Sequence, residues 1–235
     1  MTSSFILPDR PFFLIRHGET EANVAQRICG GGVDTRLTEL GRSQAKHVAE
    51  AVHSLTPRPT RIIHSDMSRS RETATIINTK LNLPMHGDNA LREHMFGEWE
   101  GEVWQTVLAR VDAGDKPNGG ECRVEFAARV QANLTRVLND HPDDLLMIVA
   151  HGGTFHAIMR IYGMEANDWI QNCHLHHFEP ANGNSAAKAT SPMPWFISSY
   201  DVENGVLVKK PASICPNTAG TLRTPKKSQP PQSKP

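Results

Sequence analysis

Phe12 to Gly18 reads FFLIRHG and Leu145 to Gly153 reads LLMIVAHGG, two unbroken apolar runs that each end abruptly in histidine and glycine. Such runs fit strands buried on both faces, as in a parallel sheet covered by helices, whereas a sheet with one wet face alternates apolar and polar residues. In open parallel sheets ligands gather outside the carboxyl ends of the strands. Arg16 and His17 follow the first run and His151 follows the second, so a guanidinium and two imidazoles are expected to face one crevice. Gly18 and Gly152, after the histidines, let backbone N–H groups approach a ligand, and a helix starting behind His151 aims its positive end at the same space. An anion suits that place.

Outward from these runs the chain alternates. Past a glycine-rich bend, CGGGVDTRLTELG, the residues Ala45, Val48, Ala49, Val52 and Leu55 recur at helical spacing over Ser43 to Leu55, with Thr38 as a candidate N-cap. RIIHS at Arg61 to Ser65 reads as a strand, and Ser68 to Leu81 as a helix with Ala74, Ile77 and Leu81 on one side. FGEWEGEVWQTVLARV is a loop running into a helix, DAGDKPNGGE a turn-rich break, and Cys122 to Asn139 another helix. After His151, TFHAIMRIYG is a short helix stopped by Gly163. CHLHHFEP and WFISSYDV are strand-like, and the loop between them, ANGNSAAKATSPMP, is long enough to border an entrance. This order predicts an α/β fold: a three-layer sandwich with a mostly parallel central sheet flanked by helices on both faces.

The 235 residues, 38% hydrophobic and 21% charged, suit one sizeable globular domain. From Pro211 onward Pro, Lys, Ser, Gln and Thr dominate, too little apolar area to offset ordering entropy, so residues 211–235 are expected to be a disordered tail on a 1–210 domain. Lys plus Arg and Asp plus Glu both number 25. There is no general basic field for nucleic acid or a membrane surface. Neither a membrane-length apolar run nor a secretion leader is evident in the sequence, which reads as cytoplasmic. Cys29, Cys122, Cys173 and Cys215 are scattered, without close pairs, and are expected to be separate reduced thiols.

Four blocks, in order, carry a family resemblance: RHGET at Arg16 to Thr20, SDMSRSRETA at Ser65 to Ala74, LREHMFGEWEG at Leu91 to Gly101 and VAHGG at Val149 to Gly153. Together they resemble the histidine phosphatase superfamily, in the branch that includes cofactor-dependent phosphoglycerate mutases and many small phosphatases. The resemblance implies His17 as the nucleophile that accepts a phosphoryl group, Arg16 and Arg69 as its clamps, His151 as a further phosphate ligand and Glu93 as the proton donor. It places Asn23 and Arg27 at polar positions that line the phosphate or substrate pocket. No metal or cofactor is required. Read without the resemblance, Arg69 beside Arg71 and Glu72 is a solvated surface charge, and Glu93 between Arg92 and His94 a surface ion pair.

Elementary chemistry agrees with the implied roles. A phosphate monoester spreads nearly two charges over its oxygens, which planar guanidinium forks from two directions match. Neighbouring arginines disfavour the imidazolium and so preserve a nucleophilic lone pair on His17. A carboxyl such as Glu93 can protonate the leaving oxygen and then deprotonate the attacking water. Trp99 and Trp104 are either core or pocket wall. In HLHHF, His174 and His176 share a strand face, but a third metal ligand at suitable spacing is missing, and exposed strand histidines are the expectation. The short segment between Glu93 and His151, the pair Phe96–Gly97 after the acid, and Ala22 before Asn23 differ from the mutases and favour hydrolysis over phosphoryl return; a noncatalytic phosphate-binding protein of the same fold is the other alternative. The expected partner is a small phosphorylated metabolite, with a phosphoprotein as the alternative. Oligomeric state stays open.

Overall fold

The computed structural model describes residues 7–166, 170–181, 195–212 and 214–216. The chain runs β1 (Phe12–Arg16), α1 (Glu21–Val24), α2 (Glu39–Ala51), β2 (Arg61–Ser65), α3 (Ser68–Leu81), β3 (Met85–Asp88), α4 (Trp104–Ala113), α5 (Arg123–Asp140), β4 (Leu146–Ala150), α6 (Gly152–Ile161), β5 (Met164–Ala166), β6 (Leu175–Pro180), β7 (Trp195–Glu203), β8 (Val206–Pro211) and β9 (Ile214–Pro216). Seven strands form the main sheet in the order β3-β2-β4-β1-β6-β7-β8, and β5 pairs with β9.

The unbroken apolar runs are explained by their position. β1 lies between β4 and β6, and its successive side chains enter opposite cores. Phe12 and Leu14 pack with Ile63 and Ile148 against Phe126, Val130 and Leu134 of α5 and Phe155 of α6. Phe13 and Ile15 pack with Ile62, Met147 and Val149 against Ala45 and Val48 of α2 and Ala74 and Ile77 of α3. Thr38 caps α2 by accepting from Gly41 N at 2.9 Å, which sets the helix start at Glu39, before Ser43.

The sheet is mixed, a correction to the mostly parallel expectation. β3, β2, β4 and β1 pair in parallel, but β6, β7 and β8 join by antiparallel pairs. A second correction concerns HLHHF. Because β6 is an interior strand, His176 and His177 are buried. His177 stacks on Phe13 at 4.2 Å and His176 meets Phe155 edge-on at 4.9 Å. Burial pushes their pKa values down to about 3 for His176 and about 4 for His177. Among the described residues no group of three or more His, Cys, Asp or Glu is arranged to hold a metal ion.

Within the expected tail, Ile214–Pro216 forms β9 against Met164–Ala166. Residues 217–235, and residues 182–194 of the expected entrance loop, lie outside the described residues. Cys29, Cys122 and Cys173 are free thiols. No helix of the described chain is long and apolar enough to cross a membrane.

Candidate active site

Strand register brings the two histidines together. β1 and β4 run side by side with Arg16 opposite Ala150, and His17 N donates to Ala150 O at 3.0 Å. The next residues along, His17 and His151, therefore leave the sheet as neighbours, and their rings lie 5.3 Å apart, edge to face. Both are buried.

His17 has a defined tautomer. Its Nδ1 lies 2.7 Å from Gly18 O, and a carbonyl only accepts, so Nδ1 carries the hydrogen and Nε2 the lone pair. Burial, followed by the charges of Arg69 and Arg16, holds this imidazole well below its ordinary pKa. His151 is held down in the same way, by burial and then by Arg69, His17 and Arg16. Its Nε2 lies 3.4 Å from Ser70 Oγ.

Arg16 donates from Nη1 to Ile170 O at 2.6 Å. Its Nε and His151 Nδ1 are buried without a hydrogen-bond partner among the described residues, as are ring and hydroxyl atoms of His177, Trp195 and Tyr200 away from the site. Burial lowers the Arg16 pKa, and Glu93 opposes that shift. α6 begins against this guanidinium, since a Cβ on Gly152 would stand 3.4 Å from Arg16 Nε.

Arg69 is only 1% exposed, which removes its reading as a surface charge. From the first turn of α3 its guanidinium reaches the 29–34 bend: Nη2 donates to Gly30 O at 2.9 Å and Cys29 O at 3.3 Å, and Nη1 to Asp34 Oδ1 at 3.1 Å. Glu100 holds the same bend from the other side, accepting from Gly30 N at 2.6 Å and Gly32 N at 3.2 Å. Beneath it Ile28, Phe96, Trp99, Val107 and Val111 form a small separate core, with Trp104 partly buried against it. Trp99 and Trp104 are therefore packing residues.

Glu93 follows β3 and crosses to α6. Its Oε2 accepts from Gly153 N at 3.0 Å and its Oε1 from His94 N at 2.8 Å. The carboxyl thus sits at the N-terminus of the helix that follows His151 and acts electrostatically on Arg16. The surface ion-pair alternative fails here, because Arg92 pairs with Asp66 at 2.6 Å instead.

Other expected residues are placed differently. Asn23 Oδ1 accepts from Thr20 N at 3.1 Å and from Asn172 Nδ2 at 3.3 Å, and the same Asn172 Nδ2 donates to His17 O at 2.9 Å. Asn23 therefore braces the His17 loop. Arg27 is exposed and donates to Gly101 O at 2.7 Å, with no contact to the histidine pair among the described residues. Gly18 meets a packing need: a Cβ there would meet Gly41 O of α2 at 2.5 Å, and its N–H donates to Thr73 Oγ1 at 3.0 Å. Sequence reading passed over Asp34, Glu100, Asn172, Ser70 and Thr73. For Thr73 a signal existed, because it shares the inward face of α3 with Arg69 at i+4.

Two buried imidazoles and the Arg16 guanidinium at adjacent strand ends, with Arg69 in the first turn of α3 and the Glu93 carboxyl nearby, suit an oxyanion such as a phosphoryl group. The chain matches the family model of the histidine phosphatase superfamily (branch 1) over residues 12–191. A glucosyl-3-phosphoglycerate phosphatase of Mycobacterium tuberculosis is 34% identical over 166 residues, covering 63% of this chain and 73% of that protein. A probable phosphoglycerate mutase of Proteus mirabilis is 32% identical over 206 residues, covering 81% and 90%. Among solved structures, a mycobacterial glucosyl-3-phosphoglycerate phosphatase with inorganic phosphate superposes with a TM-score of 0.60 at 29% identity, covering 84% of this chain and 98% of that one. The chain belongs to the histidine phosphatase superfamily, and its relatives include both phosphatases and phosphoglycerate mutase-like proteins.

Proposed function

We propose that the protein is a phosphomonoester hydrolase that works through a phosphohistidine on His17. The observation that carries this reading is the fixed tautomer of His17, with its lone pair on Nε2 and Arg16, Arg69 and His151 around it. In the first step Nε2 forms a bond to phosphorus as the bond to the leaving oxygen breaks, and that oxygen takes a proton from the Glu93 carboxyl. Arg16, His151 and the Nε of Arg69, whose Nη groups are engaged by the 29–34 bend, hold the phosphoryl oxygens while charge spreads over them. In the second step Glu93 removes a proton from water, the water oxygen attacks phosphorus, and the N–P electron pair returns to Nε2. The proton gained by Glu93 restores the starting state. Apart from the attacking water, the scheme draws only on side chains of this protein and calls for no metal.

Small phosphorylated metabolites are the proposed substrates, in keeping with the glucosyl-3-phosphoglycerate named for the phosphatase relatives. A mutase reading keeps one specific support, the resemblance over 81% of the chain to a probable phosphoglycerate mutase. Against it stand Phe96–Gly97 after the acid and the short segment that follows. A panel of phosphometabolites assayed for both released phosphate and isomerised product separates the two. Released phosphate without isomer is expected, and isomer in excess of phosphate overturns hydrolysis.

A further inference from the structure

We infer that Arg129 is a positioning residue for the Glu93 carboxyl, an inference that rests on Glu93 being the proton donor proposed above. Glu93 lies on irregular chain between β3 and α4, so no sheet ladder fixes its backbone. Arg129 of α5 does so. An arginine has five N–H donors, and all five of Arg129 are engaged. Nη1 donates to Ala90 O and Arg92 O, both at 3.0 Å, and Nη2 to Glu93 O at 2.9 Å. The remaining two form a bidentate pair with Glu121, Nε to Oε1 at 2.6 Å and Nη2 to Oε2 at 2.8 Å.

Glu121 holds the far side of the same segment. Its Oε2 accepts from Met95 N at 3.1 Å, its carbonyl lies 2.7 Å from His94 Nε2, and its N donates to Met95 O at 2.8 Å. Phe126, one turn before Arg129, carries the guanidinium 5.0 Å from its ring centre and stacks on the His94 ring at 4.7 Å. The backbone on both sides of Glu93 is thereby fixed to α5 through one guanidinium–carboxylate pair. With every donor occupied, Arg129 has none left for the phosphoryl group. It acts through the placement of Glu93, where an error of about 1 Å is enough to cost roughly a hundredfold in rate.

A residue that only stabilises the fold lowers turnover on all substrates alike, whereas one that places the acid hurts those whose leaving oxygen needs a proton. The test is kcat/KM on an alkyl phosphate and on nitrophenyl phosphate for wild type, Glu93→Gln, Arg129→Lys and Glu121→Gln. Lysine keeps the charge but cannot fork across three carbonyls and a carboxylate. Arg129→Lys is expected to lower the alkyl-to-nitrophenyl ratio by about tenfold or more, in the same direction as Glu93→Gln. Glu121→Gln is expected to move the ratio the same way and serves if Arg129→Lys does not fold. If Glu93→Gln lowers the ratio while the folded Arg129→Lys and Glu121→Gln proteins keep it, positioning is overturned. If Glu93→Gln itself leaves the ratio unchanged, the acid assignment falls, and positioning falls with it.

Discussion

Gly153→Ala probes the geometry of Glu93 without touching a charged group. A Cβ at Gly153 would stand 2.0 Å from Glu93 Oε1 and 3.0 Å from Phe126 Cε1. Non-bonded heavy atoms settle at about 3.5 Å, so the carboxyl must retreat by about 1.5 Å. That displacement also breaks the 3.0 Å bond from Gly153 N. A misplacement of about 1 Å costs roughly a hundredfold, within the roughly 10²–10⁴ that a general acid supplies. Turnover of an alkyl phosphate is therefore expected to fall about a hundredfold, with a much smaller fall on nitrophenyl phosphate, whose leaving oxygen needs little protonation. The fold is expected to survive, because overpacking of about 1–3 kcal/mol, partly offset by up to about 0.5–1 kcal/mol gained when alanine replaces a helical glycine, stays below the roughly 5–15 kcal/mol of a stable domain. Steady-state assays on the two substrates, with thermal melts as control, decide the matter. A folded variant that turns over the alkyl phosphate within threefold of wild type refutes the placement of Glu93 as acid.

Arg69→Ala is expected to lose about 10²–10³ in kcat, the scale for one transition-state donor, and a loss below threefold in a folded variant contradicts its role as a clamp. Stability depends on pH through buried histidines. His17, His151, His176 and His177 all have lowered folded pKa values, so the unfolded chain binds more protons once the pH drops below about 6.5. The stability they confer is present above that pH and lost as it falls toward about 4 for His177 and about 3 for His176. Urea titrations are expected to show a falling midpoint from pH 7 to 4, and a flat profile contradicts the neutral-histidine assignment. Turnover is expected to survive a metal chelator, whereas inhibition reversed by zinc would return His174 and His176 to consideration as ligands.

The sequence made one half of the sheet plain and concealed the other. FFLIRHG and LLMIVAHGG were legible because both faces of β1 and β4 are covered, which removes alternation and leaves a continuous apolar run. β3, Met85–Asp88, has no such signature, since it is a largely exposed edge strand. β8 did carry a signal: Asn204 and Gly205 both adopt positive φ, 51° and 78°, as in the Asn-Gly turn that joins hairpin strands. Reading that dipeptide would have exposed the antiparallel half of the sheet.

In the candidate site the strand-end residues were legible and their supports were not. His17, Arg16 and His151 follow apolar runs, so their positions come directly from the strands. The burial of Arg69 was hidden because the bend that covers it, residues 29–34, is fixed by Glu100 from far along the chain. Arg129 and Glu121 act on backbone carbonyls and N–H groups, which leave no pattern in side-chain chemistry. The close approach of Gly18 to Gly41 was hidden because it depends on how α2 packs.

Rapid quenching during turnover of nitrophenyl phosphate, under alkaline conditions that preserve an N–P bond, followed by peptide mass spectrometry, tests the central claim most directly. The account predicts a single phosphoryl group on His17 that is absent from His17→Ala. A phosphoryl group on any other residue, or an unlabelled protein despite a burst of nitrophenol release, would contradict it.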